Sequence, residues 1–296
     1  MENKKFLIFL FFCSLLLRAL FFLYFTRHGT NAWIYVDSDQ YHTIACNIAA
    51  GVGISLDGTV PQHYRLPGYP VFLAGCYRLF GFQPAAALWV QLVLASVIPL
   101  LVFALALALG CVLLVARVAA AVACIHPGLI LYAGMLATES LTLLLLLLFF
   151  IFFFSQLRFY ATGSFAAAQD NVIPREARNL GEQVYRLFFA GIFLGLASLM
   201  RPVGHYVLVL ALIMLFAWRP SALVRRAGAF VFGWLLTVAP WLLRNFLLTG
   251  AFFFHSLPGL HFVQYLAAPI GAQRDHCSYP QARAAVLGEW ERRIAD

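Results

Sequence analysis

Between Ala85 and Thr138 the only charged residue is Arg117. A helix that crosses the hydrocarbon layer needs about 20 mostly apolar residues. The run is long enough for two crossings with a tight turn near Gly110 to Arg117. Composition says the same of the whole chain: 63% of its residues are hydrophobic and 11% are charged. A soluble domain carries roughly 25% charged residues. The mean hydropathy of +0.85 therefore calls for an apolar solvent.

Further runs extend the count. Phe6 to Thr26 is apolar apart from Arg18. Lys4 and Lys5 give it the basic start of a signal peptide, but it is too long and no small-residue cleavage site follows, so it reads as a retained helix. Ser140 to Leu157, Leu187 to Met200, Val203 to Trp218 and Ala227 to Leu243 complete the set. The expectation is an all-α, polytopic transmembrane helix bundle of about seven spans.

Basic residues set its orientation. With the N-terminus inside, Lys4, Lys5, Arg117, Arg158, Arg175, Arg178, Arg186, Arg219, Arg225 and Arg226 are cytoplasmic. Only Arg27, Arg65, Arg78, Arg201 and Arg244 lie in the outer connections. That bias places the N-terminus in the cytoplasm. The net charge of +8 is thus a topology signal. Its dispersal over membrane-flanking positions speaks against a nucleic-acid partner.

Residues 158–186 read as a cytoplasmic, weakly structured loop. Within it, Asn171 to Leu180 (NVIPREARNL) has the look of a translated repeat element without a catalytic role. None of the six cysteines forms a Cys-x-x-Cys pair. Cys46 and Cys76 both fall on the outer side, where a disulfide could form. The alternative is that they are small buried hydrophobes.

The external loop, residues 27–84, is too polar to span and too rich in specific residues for a passive linker. Tyr41, Ile44, Ala45, Ile48 and Ala49 recur at helical spacing. They predict a short amphipathic interfacial helix with Asp37 or Ser38 near its N-cap. Gly51, Gly53 and Gly58 break it, and Tyr64-Arg65-Leu66-Pro67-Gly68-Tyr69-Pro70 leads into apolar Val71 to Leu79. A carboxylate such as Asp37 or Asp39 can take a proton from an attacking hydroxyl or amine. A guanidinium such as Arg65 can hold a phosphate through parallel hydrogen bonds and stabilise its departure. On pattern alone, Asp37 capping a surface helix and Arg65 snorkelling to headgroups is an equal reading.

The order Asp37-Ser38-x-x-Tyr41-x-x-x-Ala45, then Gly51-x-Gly53, then Arg65-x-Pro67-Gly68-Tyr69-Pro70, resembles the first loop of GT-C-type membrane glycosyltransferases. In particular it is similar to the bacterial relatives of protein O-mannosyltransferases and lipid A aminoarabinose transferases. His126-Pro127, Thr138-Glu139, Leu199-Met200-Arg201-Pro202 and Pro240-Trp241-x-x-Arg244-Asn245 follow in matching order, so the resemblance covers roughly residues 5–260. It implies a hexosyl or pentosyl transferase of the bacterial cytoplasmic (inner) membrane. Such an enzyme moves a sugar from a polyprenyl-phosphate donor, with inversion, to an envelope acceptor on the periplasmic face. By this analogy Asp37 is the base, with Asp39 the other candidate, and Arg65 takes donor phosphate. Arg201 is a second phosphate contact, and Tyr41 belongs to the same motif. Glu139 and Arg201 end spans on the outer side, as site residues or as a structural ion pair. His63 and Tyr64 could line an acceptor path.

Asp37, Asp39 and Glu139 could converge on a divalent ion, and some enzymes of the resembled superfamily use one. The relatives this chain most resembles are not generally metal enzymes, so no cofactor or metal is implied. Residues 1–260 form the expected membrane module, and 261–296 an external segment, truncated relative to longer relatives. The rival functions are a lipid or solute transporter or flippase, and a non-catalytic fragment of the same fold.

Overall fold

The computed structural model describes residues 2–28, 36–167, 180–218, 222–256 and 262–295. Among them all regular structure is helical, apart from one isolated bridge between Ser55 and Pro61. The chain divides into two compact units. The first is Met1–Pro61 with Pro67–Trp241, and the second is Gln62–Leu66 with Leu242–Asp296.

The first unit holds the apolar helices: α1 (Glu2–Arg27), α2 (Val36–Ala49), α3 (Gly68–Phe80), α4 (Pro84–Ala95) and α5 (Ile98–Ala108). They are followed by α6 (Leu113–Ile125), α7 (Pro127–Ala133), α8 (Glu139–Ala167), α9 (Leu180–Met200), α10 (Val203–Trp218) and most of α11 (Leu223–Thr249). Four segments are long and apolar enough to cross a membrane: α1, α4 with α5, α9 and α11. A fifth exists if α6 and α7, bent by 52°, count as one. The remaining two expected spans are the apolar part of α8, Glu139–Ser155, and α10. At 16 residues, α10 is about 24 Å long at 1.5 Å per residue, short of the ~30 Å hydrocarbon layer.

The breaks have local causes. The turn between α5 and α6 falls at Leu109 to Val112, where Gly110 takes φ +89°, a value that L side chains avoid. The α6–α7 bend sits at His126-Pro127: proline lacks the N–H that would continue the ladder. His126 Nδ1 accepts from Leu129 N–H at 3.4 Å, so this histidine caps α7.

Several boundaries differ from the hydropathy reading. Helix α8 runs on to Ala167 and α9 begins at Leu180, so residues 158–186 are not one unstructured loop. Polar residues end an apolar run without ending a helix, because backbone hydrogen bonds do not depend on apolarity. All of the repeat-like segment except Leu180 lies outside the described residues. Helix α11 is also longer than expected and holds Pro240 in its interior.

Glycines bring α9 and α11 together at backbone distance. A Cβ on Gly191 would lie 2.1 Å from the Phe230 carbonyl oxygen, and one on Gly233 2.2 Å from that of Phe188. Gly195 faces Thr237 just as closely. Gly191-x-x-x-Gly195 is thus a small-residue seam of the kind that packs helices in lipid, where van der Waals contact replaces the hydrophobic effect. Phe149, Phe153, Leu187, Leu194 and Phe230 form the core beside it.

Arg18 of α1 is fully buried. Its Nη1 donates to the Ser14 hydroxyl and carbonyl one turn earlier. Its Nε and Nη2 have no hydrogen-bond partner among the described residues. Nearer the start of α1, Arg117 lies 5.5 Å from the Phe6 ring and donates to the Asn3 side chain at 2.8 Å. The α5–α6 turn and the start of α1 therefore share one end of the unit.

In the second unit, the end of α11 is followed by a π-helical turn (Val263–Ala267), α12 (Ala268–Arg274) and α13 (Tyr279–Ala295). A Cβ on Gly271 would sit 3.8 Å from that of Ala282, so α12 and α13 pack through small residues.

Candidate functional site

Five residues singled out in the sequence, Asp37, Asp39, Tyr41, Glu139 and Arg201, lie in the first unit. Helix α2 begins at Val36, which puts Asp37 and Asp39, both exposed, in its first turn. Carboxylates there are favoured by the helix dipole. Ser38 between them is buried, and its hydroxyl donates to the Leu136 carbonyl at 2.8 Å. Ser38 lies inside the first turn and ties it to the segment just before α8.

That segment is fixed from a second side. The fully buried Gln91 of α4 donates through its amide nitrogen to the carbonyls of Tyr132, Ala133 and Met135, at 3.3, 3.0 and 2.7 Å. Its amide oxygen accepts from the Tyr69 hydroxyl at 2.8 Å. Ser38 and Gln91 thus hold successive carbonyls, those of residues 136 and 135, and with them the entry to α8. Glu139 is the first residue of that helix. It meets Arg201, which follows the end of α9, at 2.6 Å. Both side chains remain partly exposed, at 33% and 44%.

Tyr41 stands edge-on to Tyr69, with ring centroids 5.2 Å apart. Helix α2 is not merely laid on a surface: Ile44 and Ala45 are fully buried, and the helix packs on α3. The α3 start is pressed against the end of α9, where a Cβ on Gly68 would come within 2.7 Å of the Leu199 carbonyl oxygen. Further along the α2–α3 contact, His42 Nδ1 and the Tyr77 hydroxyl are 2.8 Å apart. Cys46 Sγ lies 3.7 Å from His42 Nε2. Burial pushes the Cys46 thiol up, which keeps it protonated. All six cysteines are free, so no disulfide joins Cys46 to Cys76. Among the described residues no three His, Cys, Asp or Glu side chains form a group able to hold a metal ion.

Arg65, His63 and Tyr64 belong to the other unit, so Asp37 and Arg65 are not members of one compact unit. Gln62 brackets Arg65: its amide oxygen accepts from Arg65 N–H at 2.8 Å, and its amide nitrogen donates to the Arg65 carbonyl at 3.2 Å. His63 Nδ1 is 3.0 Å from the Ser256 hydroxyl, and its ring stands edge-on to Phe253. Burial, helped by the nearby Arg244 charge, pushes the His63 imidazole below its ordinary value and keeps it neutral. Burial also raises the Tyr64 phenol, against a smaller opposing effect of Arg65. Arg244 Nη1 donates to Asn245 Oδ1 at 3.2 Å, and the buried Asn245 donates to the Phe253 carbonyl at 3.1 Å.

Gln91 and Ser256 carry this geometry without a motif to mark them. Gln91 had one available signal: it is the only amide inside an otherwise apolar span. Comparison of the chain with protein-family models, with curated proteins and with solved structures returns no match.

Proposed function

We propose that this chain is a seven-span membrane glycosyltransferase of the GT-C type. It takes a sugar from a polyprenyl phosphate at the outer face of the bacterial cytoplasmic membrane and passes it, with inversion, to an envelope acceptor. The observation that carries the reading is the Ser38–Leu136 bond next to the Glu139–Arg201 pair. It ties the turn bearing Asp37 and Asp39 to the segment that leads into Glu139.

In this reading Asp37 removes the proton from the acceptor hydroxyl or amine as that atom bonds to the sugar's anomeric carbon. The bond from that carbon to the phosphate oxygen breaks, and the electron pair leaves on the lipid phosphate. A phosphate leaves without protonation, so one carboxylate suffices, unlike the acid and base pair of a glycoside hydrolase. Arg201 can exchange Glu139 for the leaving phosphate at modest cost because an exposed pair is worth little. The basic-residue bias supports a cytoplasmic N-terminus.

The test is transfer from radiolabelled polyprenyl-phosphate sugars in membranes carrying the wild type, Asp37→Asn or Asp39→Asn. Loss of a positioned base costs about 10²- to 10⁴-fold, so transfer should collapse in Asp37→Asn and survive in Asp39→Asn. Equal transfer by the wild type and both variants would sink the base assignment.

One observation favours a second reading, a lipid or solute transporter. Arg18 is buried within a span, and α6 and α7 form a broken span in the same unit. Charged groups and broken helices at depth are transporter features. Gradient-driven flux that survives Asp37→Asn and is lost in Arg18→Leu would replace the transferase reading with this one.

A further inference from the structure

The second unit inverts the usual arrangement of large and small side chains. Phe262, Tyr265, Leu266 and Ile270 are 60%, 74%, 48% and 56% exposed. They recur at the spacing of a single helical face. The opposite face of the same segment is built from small residues: Ala268 is fully buried, and Gly271 approaches Ala282 and Val286 of α13. A hairpin designed for water would bury its aromatic and branched residues and expose its alanines. Single exposed hydrophobes are ordinary, but a contiguous stripe in register marks an interaction surface.

Its surroundings identify the occupant. The stripe belongs to the same compact unit as the end of α11, one of the membrane-length helices. At that end Phe246 and the 71%-exposed Phe252 stack with centroids 4.3 Å apart. Aromatic side chains concentrate at this boundary because their rings sit well at headgroup level. The stripe ends at Gln273 and Arg274, both exposed, and the Arg274 guanidinium is held by Asp275 at 2.7 Å.

We infer that the hairpin of α12 and α13 is a monotopic membrane anchor that seats Phe262, Tyr265, Leu266 and Ile270 in the lipid interface beside the end of α11. It requires only that the chain be a membrane protein and is independent of the transferase reading. The segment is then a surface-lying element and not an external soluble tail.

A benzophenone amino acid in place of Tyr265, Ile270 or Gln281 tests it in the full chain, in native membranes. Gln281 is exposed on α13 and outside the stripe. After irradiation, mass spectrometry should find phospholipid adducts at positions 265 and 270, with yield at 281 severalfold lower. Each variant is first checked for membrane insertion and an unchanged thermal midpoint. Equal lipid yield at all three positions would overturn the anchor. So would adducts at 265 and 270 to a second copy of this chain or to another protein in place of lipid.

Discussion

The Arg201 guanidinium meets the Glu139 carboxylate at 2.6 Å, joining the residue that follows α9 to the first residue of α8. Both side chains are about a third or more exposed. Exposed pairs contribute only about 0–1 kcal/mol to stability. Arg201→Gln should therefore leave the thermal midpoint nearly unchanged. Under the transferase reading it should still lower transfer by about tenfold or more, as loss of a charge-stabilising donor does. A lowered midpoint with full transfer would show the pair to be a structural clasp.

Gln91 makes the opposite case, because it is fully buried. Gln91→Leu takes their side-chain partner from the Tyr69 hydroxyl and the Tyr132 and Ala133 carbonyls, at about 1–3 kcal/mol for each group left unsatisfied, while the Met135 carbonyl keeps the Ala137 N–H. Tyr69→Phe removes one bond at about 0.5–1.5 kcal/mol. Since the two share that bond, the double variant should be less destabilised than the sum of the singles. Thermal unfolding of the four proteins in detergent measures the coupling, and strict additivity would contradict it.

The α9–α11 seam can be tested with two alanines. Gly191→Ala places a methyl 2.1 Å from a carbonyl oxygen. The backbones must separate, at about 1–3 kcal/mol for overpacking. Gly228 lies on α11 with nothing within 4 Å of a built Cβ. There alanine should stabilise, by up to about 1 kcal/mol from helix propensity. Shifts of the same sign at both positions would refute the seam.

His63 predicts a pH dependence in the second unit. Its imidazole lies below the ordinary value through burial and the Arg244 charge. The folded state thus prefers the neutral ring more than the unfolded state does. That stabilisation is fully present above about pH 6.5, the unperturbed value, and is lost as pH falls through the lower folded value. His63→Gln should flatten the decline in thermal midpoint between neutral and mildly acidic buffer. An unchanged slope would show that other groups cause it.

The apolar segments were legible because hydropathy reads the solvent a helix faces, and the turn at Gly110 because glycine acts on its own backbone. The far end of α8 was not, since its residues are polar while its backbone remains helical. Helix α3 was not assigned: its apolar run, Val71 to Leu79, is too short for a span. Asp37 and Glu139 could be chosen from residue type alone. What ties their segments together, Ser38 on the Leu136 carbonyl and Gln91 on its neighbours, is contact across distant sequence. The same holds for His63 and Ser256, 193 positions apart. No periodicity within one element encodes such a pair.

Gly68 has one more consequence. Where α3 meets the end of α9, two main chains touch with no side chain between them. A separation set by side chains can be adjusted by a rotamer, but this one cannot. The spacing between the start of α3 and the segment that presents Arg201 acts as a fixed gauge, and it changes only if an entire helix moves.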